Sequence, residues 1–124
     1  MADHPVHHAQ LVAYAQGQHF GLHHDAGTVN IETKTVELAG PVRIATFFVY
    51  LNTLPDNVGH TEFPWVECPF SVRPVAGRAV LFSNITSDFE ADPATSHRAI
   101  AVRGDHQKLG MNVWVSSTSQ MGHA

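Results

Sequence analysis

The sequence consists of short runs of Val, Ile, Phe and Thr separated by clusters of Gly, Pro, Asn and Asp, and no segment shows helical periodicity. Short apolar or alternating runs that end in turn-forming residues are typical of β-strands. About eight runs can be distinguished: Gln10–Tyr14, His19–His24, Arg43–Asn52, His60–Phe63, Pro69–Arg73, Arg78–Phe82, His97–Val102 and Met111–Ser116. The pattern therefore predicts an all-β chain with few or no helices.

Eight strands suit a double-stranded β-helix, or jelly roll, in which two sheets enclose a narrow interior. Such an interior often holds a metal ion or a small ligand. Two connections between the runs are long, Ala26–Val42 and Ser83–Ser96. Because long loops without secondary structure are usually functional or mobile, we expect these two segments to carry substrate selectivity.

Composition narrows the class of protein. With 124 residues, 44% of them hydrophobic, the chain is expected to form one domain over residues 1–124. The formal charge is −4 without any run of Lys or Arg, which argues against nucleic acid as a partner. The single cysteine, Cys68, cannot form an internal disulfide. The polar N-terminus and the lack of a long apolar stretch predict a cytoplasmic protein without a signal peptide or transmembrane segment.

Ten histidines point to metal chemistry, because imidazole is the commonest metal ligand in proteins. In the segment His23-His24-Asp25, residues two apart would share one face of a strand, so His23 and Asp25 could converge while His24 points away. His97 begins a later apolar run. Two histidines and one carboxylate on one face of a metal form the facial triad of iron(II) oxygenases. A surface His-Asp pair and a solvated His97 remain the alternatives.

Lys108 leads into the last predicted strand. A lysine in this position is more often solvated, but if it pointed inward its ammonium could hold a substrate carboxylate. The hydroxyl groups of Tyr14 and Thr61 could add further hydrogen-bond donors. Both interpretations of Lys108 stay open from its position alone.

Eight short motifs follow one another along the chain: Tyr14-Ala15-Gln16-Gly17-Gln18, His23-His24-Asp25, Arg43-Ile44-Ala45-Thr46 through Tyr50-Leu51-Asn52, Val58-Gly59-His60-Thr61-Glu62-Phe63, Pro74-Val75-Ala76-Gly77, Leu81-Phe82, His97, and Lys108 before Asn112 and Trp114. In these motifs and their order the chain resembles the prolyl 4-hydroxylase-like iron(II)- and 2-oxoglutarate-dependent dioxygenases, over about residues 10–116. It departs from the family at Val58, where relatives have glycine, and at Phe20, where they often have tyrosine. The approach to Lys108 is about one residue longer.

The resemblance implies a jelly roll in which His23, Asp25 and His97 hold Fe(II) as the catalytic centre. It further implies that Lys108 pairs with the far carboxylate of 2-oxoglutarate. Tyr14 and Thr61 would be hydroxyl partners of this cosubstrate, and Trp114 would form part of its pocket wall. Arg43 matches a family position near the substrate mouth, with a structural salt bridge as the alternative.

The reaction implied by the resemblance consumes 2-oxoglutarate and O2 and hydroxylates a C–H bond, with ascorbate as a further candidate cofactor. We predict a prolyl residue of a peptide or protein as the target. One alternative is a non-catalytic or truncated metal-binding jelly-roll module. Another is a cupin-like metal isomerase or binding domain, which would not need a cation at Lys108.

Family members usually carry further helices and strands before the first motif, and these elements brace one sheet. In this sequence they are expected to be short or missing. An uncovered sheet face would then be apolar, and self-association is the natural way to bury it. We therefore predict a homodimer.

Overall fold

A computed structural model describes residues 5–117, which form ten strands and one short 3₁₀ turn at Pro93–Thr95. The strands are β1 Pro5–Tyr14, β2 Phe20–His23, β3 Gly27–Asn30, β4 Thr35–Leu38, β5 Val42–Tyr50, β6 Thr61–Phe63, β7 Phe70–Val72, β8 Ala79–Ser83, β9 His97–Ala99 and β10 Lys108–Ser117. Each of the eight predicted runs overlaps one of these strands, which confirms the all-β prediction. Within the described residues, no helix has the length and apolar character needed to cross a membrane.

Eight of the strands form two antiparallel sheets of four. The major sheet has the order β1-β10-β5-β8, and the minor sheet has the order β2-β9-β6-β7. This is the predicted jelly roll. Its major sheet is built on long strands, since β10 pairs with β1 from Pro5 to Tyr14 and with β5 on its other side. The minor sheet has shorter strands and carries two of the predicted metal ligands.

Alternation along β5 and β10 decides which side chains enter the space between the sheets. Thr46, Phe48 and Tyr50 on β5 point inward, as do Lys108 and Trp114 on β10. Successive side chains of a strand point to opposite faces, so their neighbours in sequence point outward. Functional residues that are distant in sequence therefore share one interior.

The connection Ala26–Val42 is not the unstructured loop that the sequence predicted. It contains the hairpin of β3 and β4, in register from Gly27–Leu38 to Asn30–Thr35. Gly27 is required there because an added Cβ would overlap the backbone of Glu37. The sequence signal was weak because both strands are only four residues long and largely polar. The other long connection is held by an Ile85–Ala91 bridge and the Pro93–Thr95 turn.

The departure at Val58 does not disturb the turn that leads to Thr61. Positive φ angles occur on either side of it, at Asn57 (61°) and Gly59 (65°), but not at Val58 itself. Val58 instead packs with Leu54 and Val102 in a small buried core. A β-branched residue is accommodated because its own backbone is ordinary and its side chain fills this core.

Candidate metal centre

Three side chains that are far apart in sequence meet at one end of the minor sheet. His23 on β2 and His97 on β9 are direct register partners. Asp25 lies in the turn that the His24–Gly27 bridge closes, rather than in a strand as predicted. Oδ1 of Asp25 is 3.6 Å from Nε2 of His23 and 3.4 Å from Nε2 of His97. The three candidate ligand atoms all lie within 4.8 Å of one another.

Backbone carbonyls orient both imidazole rings. Nδ1 of His23 lies 2.8 Å from the carbonyl oxygen of Gly21, and Nδ1 of His97 lies 2.9 Å from that of Thr95. Because a carbonyl can only accept, each Nδ1 carries a hydrogen, and in the neutral form of each ring the lone pair is on Nε2. Such a second hydrogen bond is the usual way in which a metal-binding histidine is held in place.

The Asp25 carboxylate has two different sides. Its Oδ2 accepts from the Thr46 hydroxyl at 2.6 Å and from the Trp114 indole N–H at 3.2 Å. Its Oδ1 faces the two histidines. Trp114 was predicted only as a pocket wall and Thr46 had no predicted role. The two residues are register partners on β10 and β5. The sequence predicts the two strands but not their register, so it did not indicate that these side chains are neighbours.

Protonation states suit a metal centre. Burial lowers the pKa of His97 to about 4, against an opposing effect of Asp25, so its imidazole is neutral near pH 7. Burial raises the pKa of the Asp25 carboxyl, but His97, the Thr46 hydrogen bond and His23 outweigh it, and the pKa lies below its ordinary value. Neutral imidazole and ionised carboxylate are the forms that bind metal.

This donor set fits iron(II). Two nitrogens and one carboxylate oxygen lie together on one wall of a cavity, so a metal held there would keep coordination positions open toward the cavity. A closed structural zinc site would need four protein ligands. His24 does not take part: it is buried, its Nε2 donates to the carbonyl of Asp92 at 2.9 Å, and its Nδ1 accepts from the N–H of Ala26.

Aromatic rings enclose the two histidines. Phe20 stacks on His23 with 3.8 Å between ring centroids. Phe63 and Phe82 lie 5.5 and 5.0 Å from His97. The stacking of Phe20 on His23 uses only its ring and needs no hydroxyl group. The rings give the centre an apolar surround that strengthens electrostatic interactions within it.

The cavity between the sheets has a volume of about 600 Å³. It is lined by every residue that the sequence nominated: Tyr14, His23, Asp25, Arg43, Thr61, His97, Lys108 and Trp114. The structure therefore brings all the candidate site residues to one place. Gln18, His19 and Asn112 line it as well.

Lys108 is buried in this cavity and is only 2% exposed, so the solvated alternative is wrong. Its ammonium lies 5.4 to 5.7 Å from the ring centroids of Tyr14, Phe48 and Tyr50. Across the described part of the chain, no carboxylate lies within salt-bridge distance of it. Burial lowers the pKa of Lys108 to about 8. A buried cation without an anionic partner is a natural binding site for an anion.

Thr61 is joined to a tyrosine that the sequence did not nominate. The hydroxyl groups of Tyr50 and Thr61 lie 2.6 Å apart, and Tyr50 is fully buried. Burial raises the pKa of both Tyr50 and Tyr14, so each phenol keeps its proton at neutral pH. The signal for Tyr50 was its place in the Tyr50-Leu51-Asn52 motif. These hydroxyls and Lys108 line one cavity with Asp25.

Arg43 stacks on Trp114, with its guanidinium carbon 3.7 Å from the ring centroid. The alternative of a salt bridge is not realised, because the ion pairs found between residues 5 and 117 do not include Arg43. Arg43 and Trp114 also line a second cavity of about 460 Å³, beside β3 and β4. The stacked pair therefore lies where the two cavities adjoin.

Comparison with known proteins supports the assignment of a family. The profile of the 2OG-Fe(II) oxygenase superfamily matches residues 9–116. "Probable prolyl 4-hydroxylase 10" of Arabidopsis thaliana is 31% identical over 118 residues, which cover 79% of this chain and 39% of the plant protein. "Prolyl 4-hydroxylase subunit alpha-1" of Gallus gallus is 33% identical over 108 residues, or 87% of this chain and 19% of that protein. The chain thus spans about two fifths or less of these relatives.

A solved structure with the same fold is that of the viral collagen prolyl hydroxylase from Paramecium Bursaria Chlorella virus-1. It superposes with a TM-score of 0.74 at 21% identity and covers 93% of this chain and 62% of the viral chain. At this identity the similarity shows a shared fold. Together with the profile match, these comparisons show that the chain is a prolyl 4-hydroxylase-like member of the 2OG-Fe(II) oxygenase superfamily.

Proposed function

We propose that this chain is an iron(II)- and 2-oxoglutarate-dependent dioxygenase that hydroxylates a prolyl residue of a peptide or protein. The observation that carries the proposal is the composition of one cavity. A set of two histidines and one carboxylate lines it together with a buried, unpaired lysine. A metal ligand set and an isolated cation in one cavity match the two ends of 2-oxoglutarate, a chelating keto acid and a distant carboxylate.

The reaction converts 2-oxoglutarate, O2 and a C–H bond into succinate, CO2 and an alcohol. Iron(II), when bound, supplies chelation of the keto acid and reductive activation of O2. His23, Asp25 and His97 would hold this ion. Lys108 would bind the far carboxylate by a charge-assisted hydrogen bond, and Thr61, with Tyr50 behind it, would donate to the same group.

The protein also limits access of water. Phe20, Phe63 and Phe82 cover the histidines, and Phe48 lies beside Lys108. Exclusion of water strengthens the ion pair at Lys108 and protects reactive species from side reactions. The same rings leave an apolar wall against which a pyrrolidine ring could pack.

Arg43 is the candidate contact for the peptide. Its guanidinium is held by stacking on Trp114 and forms no ion pair with a described residue, so its N–H groups are free to donate to backbone carbonyls of a substrate. It lies where the main cavity meets the second cavity beside β3 and β4. An extended peptide could place one residue in each.

A prolyl peptide incubated with the chain, iron(II), 2-oxoglutarate and O2 is expected to gain one oxygen atom per succinate formed. Arg43→Ala is expected to raise the KM for peptide about tenfold, since one charged hydrogen bond is lost, with the 2-oxoglutarate requirement unchanged. Exposed Arg103→Ala is the matched control. Succinate without any oxidised prolyl residue would contradict proline as the target, and an unchanged peptide KM would remove Arg43 from the substrate site.

The outward face of the major sheet is a candidate surface for a second copy of this chain. Among the side chains that the structure describes from residue 9 onward, this face carries no Asp, Glu, Lys or Arg. It consists of Ala9, Leu11, Ala13, Ala45, Phe47, Val49, Ala79, Leu81, Ser83, Leu109, Met111, Val113 and Val115. Leu11 and Leu81 are 74% and 69% exposed. Four strands about 4.8 Å apart, with about eight residues each at about 3.3 Å, cover roughly 500 Å² per copy. Two copies would bury about 1,000 Å², which is enough for a specific interface.

We propose on this basis that the chain forms a symmetric dimer through the outward face. Sedimentation velocity of the whole chain is expected to show a dimer, and Leu81→Glu is expected to produce a monomer because it buries a charge in the interface. Ile31→Glu, on an exposed residue of the β3–β4 turn, is expected to stay dimeric. A stable monomer of the unaltered chain at high concentration would refute the dimer.

A further inference from the structure

Asn84, which follows β8, is buried behind the Asp25 carboxylate and has no role in the chemistry described so far. It is 0% exposed. Its side-chain Nδ2 donates to the carbonyl oxygen of Arg43 at 3.1 Å and to the hydroxyl of Thr46 at 2.9 Å. Thr46 in turn donates to Oδ2 of Asp25 at 2.6 Å. The three side chains form one line of hydrogen bonds from the strand end to the candidate metal centre.

The direction of these hydrogen bonds follows from their end points. The Arg43 carbonyl can only accept, so it must face the NH2 group of Asn84 and not its oxygen. The Thr46 hydroxyl therefore accepts from Asn84. A hydroxyl has one hydrogen, and because the ionised Asp25 carboxylate can only accept, that hydrogen is directed to its Oδ2.

Among the described residues, the side-chain oxygen of Asn84 is left without a hydrogen bond, and this energetic cost points to a function of the residue. Oδ1 of Asn84 is buried and, within the part of the chain that the structure describes, has no hydrogen-bond partner. Buried polar atoms are nearly always paired, and exceptions call for an explanation. An apolar residue at this position would avoid the unpaired oxygen. It would also leave the Thr46 hydroxyl free to turn away from Asp25.

Asn84 also contacts the segment that carries the other side of the centre. Its backbone carbonyl oxygen accepts from the backbone N–H of Asp92 at 3.0 Å. Asp92 caps the Pro93–Thr95 turn with its side chain and accepts from His24 with its carbonyl. That turn leads directly into His97. One buried residue is thus joined to the surroundings of both Asp25 and His97.

The geometry points to Asn84 as a positioning residue that directs the Thr46 hydroxyl onto Oδ2 of Asp25 and so reserves Oδ1 for the metal. The inference rests on the proposed metal-binding role of the centre. It does not involve contact between Asn84 and substrate or cosubstrate. Outer-shell partners of metal ligands typically change metal affinity about 10- to 100-fold when they are removed.

The test measures cobalt(II) binding to the whole chain by its visible absorption, without cosubstrate or turnover. Thr46→Val removes the hydroxyl at constant shape and is expected to raise the cobalt Kd about tenfold with an altered absorption band. Thr46→Ser is expected to restore the affinity. Asn84→Asp replaces the donor with an acceptor that would draw the Thr46 hydrogen away from Asp25, and is expected to weaken binding to a similar degree.

A double variant of Asn84 and Thr46 distinguishes a positioning role of Asn84 from a general effect on stability. If Asn84 acts through the Thr46 hydroxyl, Asn84→Asp combined with Thr46→Val binds cobalt no more weakly than Thr46→Val alone. Asn84→Ala, which adds no charge, provides the same measurement if the aspartate variant fails to fold. Folded Asn84 variants with unaltered cobalt affinity, or fully additive losses in the double variant, would overturn the inference.

The same cobalt titrations distinguish an error in the metal assignment from an error in the role of Asn84. If the unaltered chain bound no cobalt, or if Asp25→Ala bound it as tightly as the unaltered chain, the proposed centre would be wrong and the inference with it. Cobalt binding that depends on Asp25 but not on Asn84 would remove only the role of Asn84.

Discussion

The Asp25→Ala variant is expected to lose iron-dependent turnover and tight metal binding while keeping its fold. Asp25 supplies the single negatively charged ligand among the three, and its Oδ1 lies between the two histidine nitrogens. Its removal should lower metal affinity by more than the roughly 10- to 100-fold that loss of an outer-shell partner costs. Isothermal titration with cobalt(II) and a succinate assay measure the two losses.

The free energy of unfolding should also fall in this variant. The Thr46 hydroxyl and the Trp114 N–H lose their acceptor, which costs about 1–3 kcal/mol per buried group left unpaired. Asp105→Ala, which removes an exposed carboxylate from the loop before β10, is the matched control and should keep affinity and turnover. An Asp25→Ala protein with full activity would disprove the metal centre.

The second large effect is expected for Lys108→Met, which keeps the length of the side chain and removes its charge. The concentration of 2-oxoglutarate required for half-maximal activity should rise about 10- to 100-fold, because a charge-assisted hydrogen bond contributes about 1.5–3 kcal/mol. Metal affinity without cosubstrate should be unchanged. The free energy of unfolding should not decrease, because the variant no longer buries an unpaired ammonium. An unchanged requirement would mean that a cation other than Lys108 binds the carboxylate.

The pH dependence gives Lys108 a second signature. In the folded protein its pKa is about 8, against 10.5 ordinarily, so between these values the unfolded chain binds more protons. The contribution of Lys108 to stability therefore rises with pH across that window, and the Lys108→Met variant should lack this rise. Affinity for 2-oxoglutarate should weaken as pH increases above about 8, because the ammonium loses its charge. Denaturant titrations and binding isotherms at several pH values measure both effects.

The strand pattern and the motifs were sufficient for the architecture and for the composition of the cavity. Each predicted run overlaps a strand of one of the two sheets, and residues as distant as Tyr14 and Lys108 line the same cavity. Alternation along a strand is a local property, and it can be identified without any knowledge of long-range contacts. The hairpin of β3 and β4 was missed because four-residue polar strands leave little local signal.

The supporting residues could not be predicted because their roles depend on register and burial. Thr46 and Trp114 can both donate to Asp25 because they are register partners on β5 and β10. Asn84 contacts Thr46 because β8, which Asn84 follows, pairs with β5. The convergence of His23 and Asp25 was expected in a strand, whereas Asp25 lies in the turn after it. His24 points away from the other two residues, as expected, and its Nε2 donates to the carbonyl of Asp92. Such three-dimensional relations are absent from sequence spacing.

We propose that one cavity binds iron(II) and 2-oxoglutarate together. Anaerobic titration of the iron(II)-loaded chain with 2-oxoglutarate tests it most directly, because a keto acid chelated to iron(II) has a weak visible charge-transfer band. We expect a saturable band that is lost in Asp25→Ala and that, in Lys108→Met, saturates only at a higher concentration of 2-oxoglutarate. A folded, iron-loaded protein that shows no such band at saturating 2-oxoglutarate would contradict it and favour a metal-binding module without dioxygenase activity.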